Sequence, residues 1–122
     1  MNFELYDEQE FKKYLETLPR KSRMRLLALI QSIEDAGIVE SMKIGWVSKI
    51  QKNLYEIRLE TNGLYPRALF FKVIESQDTS NGEPRYVITN AFSKKTNKTP
   101  VAEIKKSLNR RKRYDEWIET NS

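Results

Sequence analysis

The first third of the chain spaces its apolar residues as amphipathic helices do. Two sets follow the i, i+3, i+4, i+7 spacing, namely Phe11, Tyr14, Leu15 and Leu18, and then Leu26, Leu29, Ile30 and Ile33. Asp7 suits the N-cap of the first helix, Pro19 separates the two segments, and Gly37 suits the end of a second helix over residues 20–36. The pattern predicts a helical hairpin whose apolar stripes need another layer to cover them.

The middle of the chain alternates apolar and polar positions, which is typical of strands. The Thr61-Asn62-Gly63 tripeptide is a turn signal between two such segments. Residues 76–84, which include Gly82 and Pro84, have the composition of a loop. The predicted strands cover residues 2–6, 44–50, 54–60, 67–74 and 85–92.

A further helix is predicted from Pro100 onwards, with Thr99 as its N-cap and Pro100 in its first turn. Its apolar residues form two groups that are rotated from one another, so the helix either has a broad apolar face or bends near residues 109–112. The groups are Val101, Ile104 and Leu108, followed by Tyr114, Trp117 and Ile118. Together these patterns predict an α+β fold in a single domain over residues 1–122.

Composition excludes several kinds of chemistry. The chain has no cysteine and no histidine, so it can form neither disulfides nor zinc sites built on those ligands, and only a carboxylate-held metal remains open. Proton transfer near neutral pH is left to Lys, Tyr, Asp or Glu. No apolar run reaches membrane-spanning length and residues 1–5 lack a signal-peptide pattern, so we expect a cytoplasmic protein without cofactor, metal or membrane contact.

Charge is distributed unevenly along the chain. Ten of the 22 Lys and Arg residues, but only Glu103 of the 17 acidic residues, lie between Arg85 and Tyr114. This asymmetry indicates a polyanion or an acidic protein as partner. The alternative is a solvated basic surface with no partner.

Residues 91–100, AFSKKTNKTP, join the last predicted strand to the final helix. Lysines and threonines at such a junction can gather around phosphate together with the N–H groups of the helix start. With the strand arginines Arg58 and Arg67, the segment points to RNA chemistry. Thr96 is a candidate phosphate contact, and Phe92 is either a stacking surface for a base or part of the core.

RNA carries its own nucleophile, the 2′-OH, and its cleavage needs a base, an acid and stabilisation of negative charge on the phosphate. Arg58 and Arg67 are candidates for the stabilising role, since guanidinium is permanently charged and binds phosphate through two donors; the alternative is pairing with Glu56 or Glu60.

Mutual crowding should lower the pKa values of Lys94, Lys95 and Lys98, so one of them is a candidate base or acid. The alternative is a loop that only holds phosphate. Other candidate donors or stacking surfaces are Tyr55, Tyr65 and Tyr86.

Four segments, in this order, resemble the RelE/HigB-like toxins of type II toxin–antitoxin systems, in particular the branch first described as phage-derived proteins. They are LYEIR at residues 54–58, the strand of residues 65–71 with Arg67, FSKKTNKTP at residues 92–100, and the basic helix of residues 103–114. The similarity extends over about residues 6–114. Pro66 departs from the pattern, because it occupies the position before Arg67 where the family usually has tyrosine.

The resemblance implies an N-terminal helical hairpin packed on a small, curved, mostly antiparallel sheet, with a basic C-terminal helix. It also implies a ribosome-dependent mRNA endoribonuclease that is neutralised by a cognate helix-turn-helix antitoxin. The basic helix would then meet ribosomal RNA, in a contact that weakens with salt; the alternative is a solubilising face. The candidate contacts are Lys105, Lys106, Arg110, Arg111, Lys112 and Arg113.

Two further classes of function remain open from the sequence. One is a nucleic-acid-binding regulator without catalysis, which would keep the basic helix and tolerate loss of Arg58. The other is a degenerate toxin homologue that only binds the antitoxin. The joint presence of Arg58, Arg67 and the lysines of residues 94–98 favours the nuclease.

Overall fold

The computed structural model describes residues 1–74, 83–96 and 98–121. Residues 76–82 of the predicted loop therefore lie outside the described part of the chain. In order, the elements are β1 Asn2–Leu5, α1 Glu8–Glu16, α2 Arg20–Ala36, α3 Ile38–Ile44, β2 Val47–Gln51, β3 Leu54–Arg58, β4 Pro66–Lys72, β5 Arg85–Ser93 and α4 Val101–Asn121.

The strands form one sheet in the order β1-β5-β4-β3-β2. The β2–β3, β3–β4 and β4–β5 pairs are antiparallel, and β1 runs parallel to β5. This arrangement confirms the predicted α+β fold with a mostly antiparallel sheet. No helix in the described residues is long and apolar enough to span a bilayer.

The predicted hairpin of α1 and α2 is confirmed, and it covers one face of the sheet. The side chain of Asp7 caps α1 by accepting the Glu10 N–H at 3.0 Å, and Gly37 ends α2 with a φ of 86°. The larger of the two hydrophobic cores lies between this hairpin and the sheet. Its burial is the main favourable contribution to the folding free energy. It contains Phe11, Leu18, Leu26 and Ile33 from the helical region and Val47, Ile57, Ala68, Phe70, Tyr86 and Ile88 from the sheet.

Helix α4 covers the other face. Tyr114 and Ile118 pack with Tyr6 against a second cluster formed by Phe71, Val73 and Val87. The helix is uninterrupted from Val101 to Asn121. Both apolar groups named from the sequence therefore lie on one continuous helix, on which Val101 and Trp117 are exposed.

Helix α3 was not predicted, and the strand expected at residues 44–50 begins only at Val47. The seven-residue helix leaves Val39, Met42 and Ile44 exposed, so it lacks the apolar stripe that identifies longer helices from sequence. Gly45 ends it in the left-handed conformation, with a φ of 96°. The turn predicted at Asn62-Gly63 is confirmed, since both residues have positive φ as a tight turn of this type requires.

Helices α1 and α4 are joined by an ion-pair cluster around Glu10. One carboxylate oxygen accepts from Lys106 Nζ at 2.8 Å, and the other accepts from Arg110 Nη2 at 2.7 Å. The Arg110 guanidinium also lies 5.0 Å from the centre of the Tyr6 ring, a favourable distance for a cation–π contact. The cluster therefore fixes the basic helix on the body of the protein.

A Glu10→Gln variant should lose about 1 kcal/mol of unfolding free energy at pH 7, because charge-assisted hydrogen bonds are lost at a partly exposed site. The hydrogen bond from Arg110, and then that from Lys106, lowers the pKa of Glu10 from its usual 4.5, with burial opposing them. The stabilisation is therefore present above that value and is lost as pH falls through the lower folded-state pKa.

Urea denaturation of both proteins at pH 7 and pH 3 measures this difference, which should shrink at the lower pH. Glu8→Gln is the matched control, since Glu8 lies exposed on the same helix. An equal difference at both pH values would mean that the charge of Glu10 does not stabilise the fold.

Candidate functional site

A cleft of about 590 Å³ opens where β3, β4 and β5 lie side by side. Basic side chains of three segments meet there, with one acidic residue and one tyrosine. We call this the cationic cleft. It is lined by Gly45, Arg58, Leu59, Glu60, Tyr65, Arg67, Lys94, Lys95 and Thr96.

Strand register brings these side chains together. Arg58 on β3 lies opposite Arg67 on β4, which in turn lies opposite Phe92 on β5. Directly opposed residues share a face of an antiparallel sheet, so the two arginines are neighbours. Pro66 is the first residue of β4, a position that proline tolerates inside a sheet. Beyond β5, the Lys94 N–H donates to the Tyr65 carbonyl at 2.8 Å, which holds the start of the lysine segment beside β4.

Arg67 is a buried cation, with 6% of its surface exposed. Its Nη1 donates to the carbonyls of Leu59 and Pro66 at 2.8 and 2.9 Å. Its Nε lies 3.7 Å from a Glu56 oxygen and has no hydrogen-bond partner. Burial lowers the pKa of Arg67, Glu56 opposes that shift, and Arg58 adds to it. The group stays protonated, because arginine is not deprotonated in proteins.

Glu56 is the buried counter-charge beneath the cleft, with 4% of its surface exposed. One of its oxygens accepts a hydrogen bond from the Thr99 hydroxyl at 2.6 Å. The prediction that Thr99 is the N-cap of α4 is therefore wrong. The helix begins at Val101, and the Pro100 carbonyl accepts the Ile104 N–H. The sequence alternative in which a strand arginine pairs with Glu56 holds for Arg67.

The other cations of the cleft are uncommitted. Arg58 and Lys95 are exposed and Lys94 is partly exposed, and the side chains of these three residues form no hydrogen bond or ion pair with any described residue. Lys98 does not line the cleft. Its carbonyl accepts from the Thr96 hydroxyl at 3.1 Å. Arg58, Lys94 and Lys95 are thus the groups that a bound anion can reach without displacing another partner.

Two lining residues extend the candidate chemistry. Glu60 is the acidic residue of the cleft, whose lining also includes Lys94 and Lys95. The sequence suggests it only as a partner for an arginine, because its position in the chain does not show that it shares a cleft with the lysines. Tyr65 is 41% exposed, whereas Tyr55 and Tyr86 pack around Phe70 in the core. Among the three tyrosines considered from sequence, Tyr65 is therefore the one that lines the cleft.

The six basic residues of α4 do not share one face. Lys106 and Arg110 bind Glu10, and Arg111 donates to the carbonyls of Lys52 and Asn53 at 3.1 and 2.8 Å. Only Lys105, Lys112 and Arg113 are exposed and make no side-chain hydrogen bond or ion pair with the described residues. Three of the six basic α4 residues that were predicted to contact RNA therefore also make contacts that stabilise the fold. Phe92 is half-buried, which leaves both of its predicted roles open.

The fold and the cationic cleft define a small α+β protein with a basic site at one end of its sheet. The family model described as Phage derived protein Gp49-like (DUF891) matches residues 13–112, a span that contains every lining residue of the cleft. The chain belongs to this family, which is associated with RelE/toxin-like proteins. No curated protein matches the sequence significantly.

An Arg67→Gln variant should lose about 3 kcal/mol of unfolding free energy, since it leaves the buried Glu56 carboxylate without its counter-charge. Arg58→Gln is the matched control on the opposite strand and should change stability by less than about 0.5 kcal/mol, because Arg58 is exposed and unpaired. Chemical denaturation of the two variants measures both values. Equal losses would show that the Arg67–Glu56 pair does not support the sheet.

Proposed function

We propose that the protein is the toxin of a type II toxin–antitoxin system and cleaves mRNA on the ribosome. The observation that carries the proposal is the meeting of Arg58, Arg67, Lys94 and Lys95 around one open cleft. Membership of a family associated with RelE/toxin-like proteins supports the biological class. Ribosome dependence and neutralisation by a helix-turn-helix antitoxin are expected from the resemblance to that group.

The proposed reaction uses the 2′-OH of the RNA as nucleophile. A base takes the 2′-OH proton, the 2′-oxygen bonds to phosphorus, and the bond from phosphorus to the 5′-oxygen breaks. The 5′-oxygen takes a proton from an acid. The products are a 2′,3′-cyclic phosphate and a 5′-hydroxyl, so the step needs no water, metal or redox partner.

The two arginines supply charge stabilisation in this scheme. Arg58 is free to bind the phosphate oxygens directly, and Arg67 adds positive potential from beneath the cleft, where low exposure weakens solvent screening. Negative charge on the phosphate grows in the transition state, so cations fixed in advance lower the barrier. Removing one such donor from an enzyme commonly slows the reaction about 10²–10³-fold.

Proton transfer falls to the remaining titratable groups of the cleft. Lys94 and Lys95 are the bases or acids expected from sequence, and Glu60 and Tyr65 are further groups in the same lining. A carboxylate beside ammonium groups can take the 2′-OH proton, while an ammonium group or a phenol can protonate the leaving oxygen. Lys98 does not line the cleft. In this proposal it binds a phosphate of the RNA backbone outside the cleft.

Arg58→Gln should reduce cleavage at least about 100-fold while leaving the protein folded, since Arg58 contributes charge to the cleft but no contact to the fold. Primer extension on a translated mRNA, with and without ribosomes, measures cleavage and its ribosome dependence together. Lys21→Gln on α2 is the control for loss of one exposed positive charge outside the cleft and outside the predicted RNA contacts, and it should leave cleavage near the wild-type rate. Equal cleavage by Arg58→Gln and wild type would remove Arg58 from the mechanism.

Substitution of each lysine by methionine should slow cleavage more for the lysines that line the cleft than for the one outside it. Lys94→Met and Lys95→Met should each slow single-turnover cleavage by at least about 10-fold, whereas Lys98→Met should have the smallest effect because Lys98 lies outside the cleft. Rates measured across pH 6–9 identify the titrating group by the limb of the profile that disappears. Unchanged rates in all three variants would assign proton transfer elsewhere.

A non-catalytic nucleic-acid-binding protein is the second candidate, and the exposed side chains of Lys105, Lys112 and Arg113 favour it. Both functions predict binding that weakens steeply with salt, because bound phosphates release counterions. They differ in the response to wild-type expression, since only the nuclease should arrest growth in a manner relieved by Arg58→Gln. Normal growth with abundant folded protein would favour the second candidate.

A further inference from the structure

The buried carboxylate of Glu56 contacts an arginine of the cationic cleft on one side and Thr99 on the other. On one side, it is 3.7 Å from Nε of Arg67. On the other, it accepts the Thr99 hydroxyl at 2.6 Å. Thr99 closes the segment that begins at Lys94, so a single acidic side chain connects an arginine of the sheet to the lysine segment.

The lysine segment is attached to the neighbouring strands near both of its ends. At its start, the Lys94 N–H donates to the Tyr65 carbonyl just before β4. At its end, the Thr99 hydroxyl binds Glu56 on β3. The ammonium groups of Lys94 and Lys95 make no side-chain hydrogen bond or ion pair within the described structure, so their placement depends on these backbone and hydroxyl anchors.

The same carboxylate limits how Arg67 can sit. Two carbonyls hold Nη1, whereas Nε faces Glu56 at a distance that gives charge attraction without a hydrogen bond. The Thr99 hydroxyl binds Oε2 of Glu56, whereas Oε1 is the oxygen that faces Nε, so the short bond from Thr99 fixes the orientation of the carboxylate. Without that hydroxyl, Glu56 would be free to close on Nε and draw the guanidinium away from the cleft.

We propose that Glu56 and Thr99 are positioning residues of the cationic cleft. Glu56 sets the orientation of Arg67, and its bond to Thr99 fixes the lysine segment against the arginines. The inference rests on the proposed nuclease function for its kinetic part only. Neither residue touches the reacting atoms, so their effect should fall on kcat rather than KM.

The test uses Thr99→Val, which removes the hydroxyl and keeps the side-chain shape, with Thr99→Ser as the conservative variant. In ¹⁵N-edited NMR of the free protein, Thr99→Val should shift the Arg67 Nε–H resonance and the Lys94 and Lys95 amides, and Thr99→Ser should leave them near their wild-type positions. Thr120→Val, at an exposed threonine near the end of α4, is the control and should leave all three signals unmoved.

In ribosome-dependent cleavage, Thr99→Val should lower kcat at least about 10-fold with little change in KM, and Thr99→Ser should restore most of the rate. Glu56→Gln should shift the Arg67 resonance too; if it fails to fold, Thr99→Val still decides. Unmoved resonances in Thr99→Val would overturn the anchoring. Shifted resonances with wild-type kcat would overturn the kinetic role.

The two proposals fail in different ways. If wild-type protein does not cleave RNA, the nuclease and the kinetic role of Glu56 both fall, while the NMR measurements still decide whether Glu56 and Thr99 anchor the cleft. If wild type cleaves and Thr99→Val cleaves equally well, the nuclease stands and the kinetic role of Glu56 and Thr99 is wrong.

Discussion

The structure depends on a permanent positive charge that is held within the sheet. Arg67 is buried on β4, and burying an isolated guanidinium would cost several kcal/mol. Two carbonyls and the buried carboxylate of Glu56 make the position tolerable. Because Glu56 also binds Thr99, the same compensation links the central strands to the segment that leads into α4.

The pairing of Arg67 with Glu56 helps to explain how several positive charges can lie on one small surface. Arg58 and Arg67 face each other across two strands, and Lys94 and Lys95 line the same cleft. The charge of Arg58 adds to the burial that lowers the pKa of Arg67, so the two arginines repel one another across the strands. An anion bound between them relieves that repulsion, and charged groups perturbed in this way are frequent at functional sites.

Most of the fold was predictable, because its signals are local. The helical spacing around Phe11 and Leu26 identified α1 and α2, and Asn62-Gly63 identified the turn that sets Arg58 opposite Arg67. Helix α3 was missed because its few apolar residues are too short a pattern to separate from a strand. Thr99 was misassigned because its partner lies 43 residues away in sequence.

The cleft itself was only partly predictable. The basic residue types pointed to phosphate, but sequence spacing does not show that Lys98 falls outside the lining, that Glu60 falls inside it, or that Arg110 binds Glu10. Such tertiary partners are decided by packing between elements that are far apart in the chain. The sequence therefore indicated residues suited to phosphate binding. The structure shows which of these cations are bound to other residues of the fold and which are not.

The most direct test of the central claim is the chemical identity of the RNA ends produced by wild-type protein on translating ribosomes. Attack by the 2′-oxygen predicts a 5′-hydroxyl on one fragment and a 2′,3′-cyclic phosphate on the other. Fragments with 5′-phosphate ends, or intact mRNA at saturating protein, would contradict the proposal that the cationic cleft cleaves RNA through its own 2′-OH.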